Sequence, residues 1–176
     1  MRTTRPALVL TAVAASALLL TACGGGGGGG DDSGGGDHED RGSAACRIGE
    51  LDADIAPSPA PAAGDTGTVT VNLTNRGPAC TLDGFPAVTL TAEGAPVEVP
   101  ADRAASAQRL TLAEGGTASF TLTYVRGGAG HLAVRSAEFA LPGDDATHRV
   151  PWSYGEVATE GGTPEATVGA FQRAGD

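Results

Sequence analysis

The strict alternation of apolar and polar side chains in two stretches constrains the fold of this chain more than any other feature. In residues 68–74, Val69, Val71 and Leu73 alternate with threonine and asparagine. In residues 117–124, every second side chain is apolar and those between are threonine or serine. Successive side chains of a β-strand point to opposite faces of its sheet, so a period of two predicts strands with one buried face. Both stretches therefore predict half-buried strands.

Shorter apolar segments predict further strands. They cover residues 51–55, 88–92, 97–99, 110–112, 137–141, 150–154 and 166–171. Turns rich in glycine and proline separate nearly all of them, and after Cys46 no 11-residue window shows a helical period free of both residue types. The pattern predicts an all-β domain, namely an antiparallel β-sandwich of immunoglobulin-like type.

The amino-terminal residues have the features of a lipoprotein signal peptide. Arg2 and Arg5 are followed by an apolar run over residues 7–22, and residues 20–23 read Leu-Thr-Ala-Cys. That run of 16 residues is shorter than the roughly 20 of a spanning helix, which disfavours the alternative of a transmembrane segment. We expect cleavage after residue 22 and a diacylglycerol on the Cys23 thiol. The mature protein would then be lipid-anchored to the cell membrane on its extracytoplasmic side.

The residues that follow Cys23 predict a flexible spacer. Glycine runs occupy residues 24–30 and 34–36, and acidic residues lie between and after them. Glycine has no side chain to bury and great backbone freedom, so such a segment stays disordered. The sequence therefore predicts a signal peptide over residues 1–22, a lipidated cysteine with a disordered Gly/Asp-rich tether over residues 23–45, and a folded domain over residues 46–172.

The two remaining cysteines, Cys46 and Cys80, are predicted to form a disulfide. They are an even pair in an exported domain, where thiols tend to be oxidised. The alternative of a reactive or catalytic thiol is disfavoured because no histidine lies near either cysteine in the sequence. A bridge over this separation would stabilise the fold by about 4 kcal/mol in the chain-entropy model.

The charge of the chain excludes some classes of partner. The formal net charge is −10 and the basic residues are all arginine. Loss of residues 1–22 with Arg2 and Arg5 leaves nine arginines against 21 acidic residues, a charge of −12. Such a surface repels phosphates, so we expect no nucleic acid partner and a soluble, monomeric domain. The expected partners are the membrane, through the lipid anchor, and an envelope protein or a wall glycan.

Three aromatic residues are the candidates for ligand binding. Phe85 follows Asp83-Gly84 and could be presented to a partner, but packing into the core beside the disulfide is the interpretation we favour. Trp152 and Tyr154 are two residues apart, as for an aromatic platform that binds a sugar or a peptide. The same spacing places both on one face of a strand, so packing between the sheets is again favoured.

No catalytic constellation stands out in the sequence. The chain lacks a Gly-x-Ser-x-Gly elbow, a His-Glu-x-x-His pair and a phosphate-binding Gly-Lys-Ser loop. His131 and His148 could converge with Asp144 and Asp145 on a metal after folding, but their spacing does not require it. We therefore expect no catalytic residues, no resident metal and no cofactor.

Several segments together resemble a known family. They are Cys46, the run Thr70 to Asn75 with Arg76-Gly77, the segment Cys80-Thr81-Leu82-Asp83-Gly84-Phe85-Pro86, and the stretch Leu110 to Phe120. The chain resembles the actinobacterial secreted lipoproteins that carry the domain of unknown function 4232, from about Cys46 to Phe171. The resemblance implies an extracytoplasmic β-sandwich without an established activity, and it supplies no catalytic residues. This chain lacks the second cysteine pair that many relatives carry in the latter half of the domain. Any role of that second bridge in the family is therefore not expected here.

These observations favour a non-catalytic binding or interaction module of unknown ligand. The alternative is a cell-envelope enzyme or metal-binding protein that uses His131, His148 and nearby carboxylates. A structural envelope component without a specific ligand is a third interpretation. The first two differ in one structural property, which is whether the histidines and carboxylates share a cleft.

Overall fold

A computed structural model describes residues 43–93 and 95–174. In chain order the strands are β1 (Leu51–Ser58), β2 (Thr66–Asn75), β3 (Cys80–Asp83), β4 (Ala87–Ala92), β5 (Ala95–Val99), β6 (Arg109–Leu112), β7 (Thr117–Val125), β8 (His131–Leu132), β9 (Val134–Ala140), β10 (Thr147–Pro151), β11 (Val157–Glu160), β12 (Thr163–Pro164), β13 (Ala166–Val168) and β14 (Gln172–Arg173). A 3-10 turn, Ile48–Glu50, precedes β1. The residues that the structure describes contain no α-helix. The predicted all-β class is confirmed. None of the described segments is a helix of the length and hydropathy that a membrane crossing requires.

Two antiparallel sheets form the main layers. The first has the order β1-β2-β7-β13, with β14 also paired to β7, and the second has the order β10-β9-β4-β5. Strands β12-β11-β8 and β3-β6 form two smaller sheets. The antiparallel layers agree with a β-sandwich, and the immunoglobulin-like topology stays a prediction.

The two alternating stretches of the sequence form the centre of the first sheet. Strands β2 and β7 pair over nine residues, and Val71 lies opposite Phe120 while Val69 lies opposite Leu122. These side chains are buried, and the threonine and serine side chains of both strands lie on the opposite, more exposed face. Across the core, the ring of Phe120 meets that of Phe139 in β9 with centroids 5.2 Å apart. The period-two prediction is thus confirmed, and its apolar face packs against the second sheet.

The predicted disulfide between Cys46 and Cys80 is present, and both cysteines are buried in the core. The chain also joins the fold before Cys46. Thr81 donates its backbone N–H to the carbonyl of Ala44 at 2.8 Å, and Ala45 forms an isolated parallel bridge with Thr81. The last residues of the predicted tether, 43–45, therefore contact the domain, because the backbone of β3 offers them hydrogen bonds. The signal peptide, Cys23 and the rest of the tether lie outside the described residues.

Two predicted strands differ in the structure. The predicted strand 150–154 ends at Pro151, because Trp152 turns back and donates its indole N–H to the carbonyl of Gly155 at 2.6 Å. The predicted strand 166–171 ends at Val168, and the chain pairs with β7 again only in β14, with its register shifted by one residue. This shift is a bulge, and it places Phe171 in the core where continued alternation would have buried residue 172.

Candidate functional site

The candidate catalytic and metal-binding residues do not come together. His131 lies in β8, where its Nδ1 is 3.1 Å from the carbonyl oxygen of Gly128 and its Nε2 is 3.5 Å from a carboxylate oxygen of Glu156. His148 lies in β10, in a different sheet, and stacks at 5.1 Å on the ring of Phe139. Among the residues that the structure describes, no group of three His, Cys, Asp or Glu side chains could hold a metal ion.

Asp144 has a structural role in the loop between β9 and β10. Its carboxylate accepts the backbone N–H of Ile48 at 2.7 Å and that of Ala146 at 3.2 Å. These hydrogen bonds hold the pKa of Asp144 below its ordinary value, because they stabilise the ionised form. Asp145, its neighbour, is exposed. Asp144, a candidate metal ligand in the sequence, therefore holds the 3-10 turn before β1 in place.

Phe85 does not pack where we expected it. The ring keeps part of its surface exposed, and Phe85 is absent from the core cluster of the described residues. In this segment Leu82, Pro86 and Val88 are buried, whereas Phe85, between β3 and β4, is only partly buried. Gly84, with a φ of +83°, makes the turn between these strands. The favoured interpretation of Phe85 as a core plug is wrong, and its role as a contact residue stays a prediction.

Trp152 is a core residue, as the packing interpretation predicted. It is 8% exposed and meets two tyrosine rings edge to face, Tyr124 at 5.1 Å and Tyr154 at 4.9 Å. Tyr154 is only half buried and lies at the edge of the core. The two predicted platform residues thus form one aromatic cluster, but Trp152 is its buried part and Tyr154 its accessible part.

Sequence reasoning missed the residue that fixes this cluster, Tyr124 of β7. Its buried hydroxyl donates to the carbonyl oxygen of Tyr154 at 2.7 Å and accepts the backbone N–H of Ala60 at 3.4 Å. It therefore ties the loop after β10 to the loop between β1 and β2. Arg126 adds to this attachment, since its Nη1 donates to the carbonyls of Ala60 and Pro61, both at 2.9 Å. The one sequence feature that indicates this contact is Gly67 in β2. A glycine inside a strand often marks a position where another part of the chain comes close to the backbone.

The sandwich has an open edge between β1 and β10, which are the outermost strands of the two sheets on that side. Apolar side chains there are only partly buried although they pack against the core. We call these residues the edge seam; they are Leu51, Ala53 and Ile55 from β1, Ala137 from β9, Val150 from β10, and Tyr154. Partly exposed apolar side chains along one edge are a feature of surfaces that bind other molecules.

A small cavity of about 30 Å³ lies behind the edge seam, between the sheets. Ile55, Val150 and Tyr154 line it together with core residues of both sheets, among them Val71 and Phe139. The one charged residue in its wall is Glu138, whose carboxylate pairs with Arg149.

The chemistry of this site is that of apolar contact. Burial of a hydroxyl without a hydrogen bond is unfavourable, so a wall that is apolar apart from Glu138 does not suit a sugar ring. A cavity of this size accommodates about one methyl group, because one water-sized sphere already needs roughly 10–15 Å³. The geometry therefore favours apolar side chains as the groups that the edge seam contacts.

Comparison with known protein families gives one match. The family model described as "Domain of unknown function (DUF4232)" matches residues 46–172. No curated protein matches the chain.

Proposed function

The chain belongs to the family of the domain of unknown function DUF4232, and from that premise we propose that it is a membrane-anchored extracytoplasmic lipoprotein whose β-sandwich binds an envelope protein without catalysing a reaction. The anchor rests on the sequence, in which an apolar run of residues 7–22 ends at Cys23. A tether of residues 23–42 would hold the domain away from the membrane, since a flexible chain of this length spans roughly 25 Å.

The observation that carries the binding role is the edge seam. Its apolar side chains are partly exposed at an open edge, beside an aromatic cluster that Tyr124 holds in a fixed position. A prearranged apolar surface binds with a smaller loss of conformational entropy than a mobile one. Apart from the phenol hydroxyl of Tyr154, the seam side chains carry no polar group, which favours a protein partner over a wall glycan.

A non-catalytic role agrees with the positions of the residues that chemistry would need. His131 and His148 belong to different sheets, and Asp144 is held by two backbone amides. A general base or a metal site requires such groups within hydrogen-bonding reach of one reacting atom. Their separate surroundings give the enzyme alternative no support.

Site-specific photo-crosslinking in cells tests this function. A photoreactive amino acid replaces Ile55 in the edge seam of the full chain, and the matched control replaces Glu98, an exposed residue of β5 on the second sheet. We expect one defined crosslinked protein from position 55, in the membrane fraction, and none from position 98. Identical products at both positions, or none at position 55, would contradict the proposed binding role.

A further inference from the structure

The unpaired edge of β1 is the most regular sheet edge in the described residues. Strand β1 pairs only with β2, in continuous register from Leu51 opposite Asn75 to Ser58 opposite Thr68. The other outer strands are shorter or interrupted. β10 ends in Pro151, β5 contains Pro96, and a bulge separates β13 from β14.

Proteins commonly protect such edges, and the protection of β1 consists of the exposed charges of Asp52 and Asp54. Proline, a bulge or an inward-pointing charge prevents an edge from pairing with another strand. The inward-pointing side chains of β1 are instead the apolar seam residues Leu51, Ala53 and Ile55, and its proline, Pro57, stands near the end of the strand. The stretch of residues 51–56 therefore offers free backbone hydrogen-bonding groups beside an apolar surface.

On the basis of the proposed function, we propose that β1 accepts an extended segment of the partner protein as an added strand. The backbone of that segment would pair with residues 51–56 in the manner of β-augmentation. Every second side chain of the added strand would lie on the side of the edge seam, because side chains alternate between the faces of a sheet. These side chains would be apolar, to match Ile55 and Val150.

The outward-facing side chains of β1 indicate the charge of the outward-facing side chains of the added strand. Asp52 and Asp54 point outward and are exposed. Asp52 pairs with Arg76 at 2.6 Å, while Asp54 has no ion-pair partner among the described residues. Opposite charges on neighbouring strands attract, so the outward residues of the added strand would be basic. The segment is thus an alternation of basic and apolar residues.

The same carboxylates disfavour a second copy of this chain as the occupant. In a symmetric antiparallel pair of β1 strands centred on Ala53, Asp52 of each copy would lie opposite Asp54 of the other. Centring the pair on Asp52 or on Asp54 would place that residue opposite itself. Like charges at directly opposed positions are destabilising. A pair centred on Ile55 would avoid these contacts, but it would bring the proline of β1, which has no backbone N–H, into the pairing. Residues 24–42 of the chain are also unsuitable, because they contain no apolar side chain to cover the edge seam.

The experiment uses the full chain, purified in detergent, and a synthetic peptide of alternating arginine and valine. Hydrogen exchange followed by mass spectrometry should show slower exchange in the peptide that contains β1 when the arginine–valine peptide is added. A glutamate–valine peptide, and an arginine–valine peptide with every second backbone amide methylated, serve as controls and should give no protection. Exchange in β5, the outer strand at the other edge of the second sheet, should stay unchanged.

Charge variants test the outward face. Asp54→Asn should weaken arginine–valine binding about fivefold, since one exposed charge pair is lost. The matched control, Glu98→Gln on β5, should leave the affinity unchanged. Equal binding of the glutamate–valine peptide, protection in β5, or unchanged exchange at millimolar peptide would overturn the inference. If position 55 still crosslinks to one partner in that case, strand addition fails and the proposed function stands.

Discussion

Replacement of Gly67 by alanine should destabilise the protein strongly, because the new methyl group has no room. A Cβ atom at position 67 would lie 2.7 Å from two ring carbons of Tyr124 and 2.7 Å from the backbone nitrogen of Ala60. Carbon atoms do not approach so closely, so the ring or the loop between β1 and β2 must move. Either movement disturbs the hydroxyl of Tyr124, which donates to the carbonyl of Tyr154 at 2.7 Å.

The expected loss follows from these two effects. Overpacking of a well-filled core costs about 1–3 kcal/mol. Loss of a buried hydrogen bond adds about 1 kcal/mol. We therefore expect Gly67→Ala to lower the free energy of unfolding by about 3 kcal/mol, a large share of the roughly 5–15 kcal/mol of an ordinary domain.

Urea unfolding of the two proteins side by side measures this loss. The matched control is Gly49→Ala, since nothing lies within 4 Å of a Cβ atom at position 49. This control should change the free energy of unfolding by no more than about 0.5 kcal/mol. Tyr124→Phe separates the hydrogen bond from the packing and should cost about 1–2 kcal/mol. A loss below about 1 kcal/mol for Gly67→Ala would refute the reasoning on close packing.

Three further changes have defined outcomes. Serine at both Cys46 and Cys80, which are 34 residues apart, should lower the free energy of unfolding by about 4 kcal/mol; a urea midpoint equal to that of the parent would contradict this. Because the pKa of Asp144 is lowered by folding, its stabilising contribution is present above about pH 4 and is lost as the pH falls through the lowered pKa. Asp144→Asn should remove this part of the pH dependence, and identical urea midpoints against pH for parent and variant would count against it. Val88→Ile should fill the cavity of about 30 Å³ and raise the free energy of unfolding by up to about 0.8 kcal/mol, whereas Val99→Ile, outside the cavity wall, should lower it.

The sequence predicted the strands in which local pattern and tertiary packing agree. Strands β2 and β7 alternate without interruption, and each of them has one buried face. It did not predict β3, β8, β11, β12 and β14, because strands of two to four residues carry too few alternations to be distinguished reliably from loops. The burial of Phe171 was hidden for another reason. It depends on a bulge relative to β7, and a register shift leaves no signal in the residues of one strand alone.

The residues of the candidate site also differ in how far the sequence predicts their positions. The burial of Trp152 agrees with the packing interpretation, whereas Phe85 lies between β3 and β4, where no strand alternation predicts its burial. The role of Tyr124 could not be predicted, since its hydroxyl contacts residues that are 30 and 64 positions away in the chain. The edge seam was hidden because Ile55 and Val150 resemble core residues in the sequence. Their exposure depends on the strand order, which places β1 and β10 at the outer edges of their sheets.

The lipid on Cys23 is the part of the proposed function that a single measurement tests most directly. Mass spectrometry of the intact protein, isolated from the membrane fraction of its native cells, would give the mass of the mature chain and of its first residue. We predict a chain that begins at Cys23 and carries the additional mass of a diacylglycerol. A chain that retains residues 1–22, or one that begins at an unmodified residue, would contradict the proposal of a membrane-anchored binding domain.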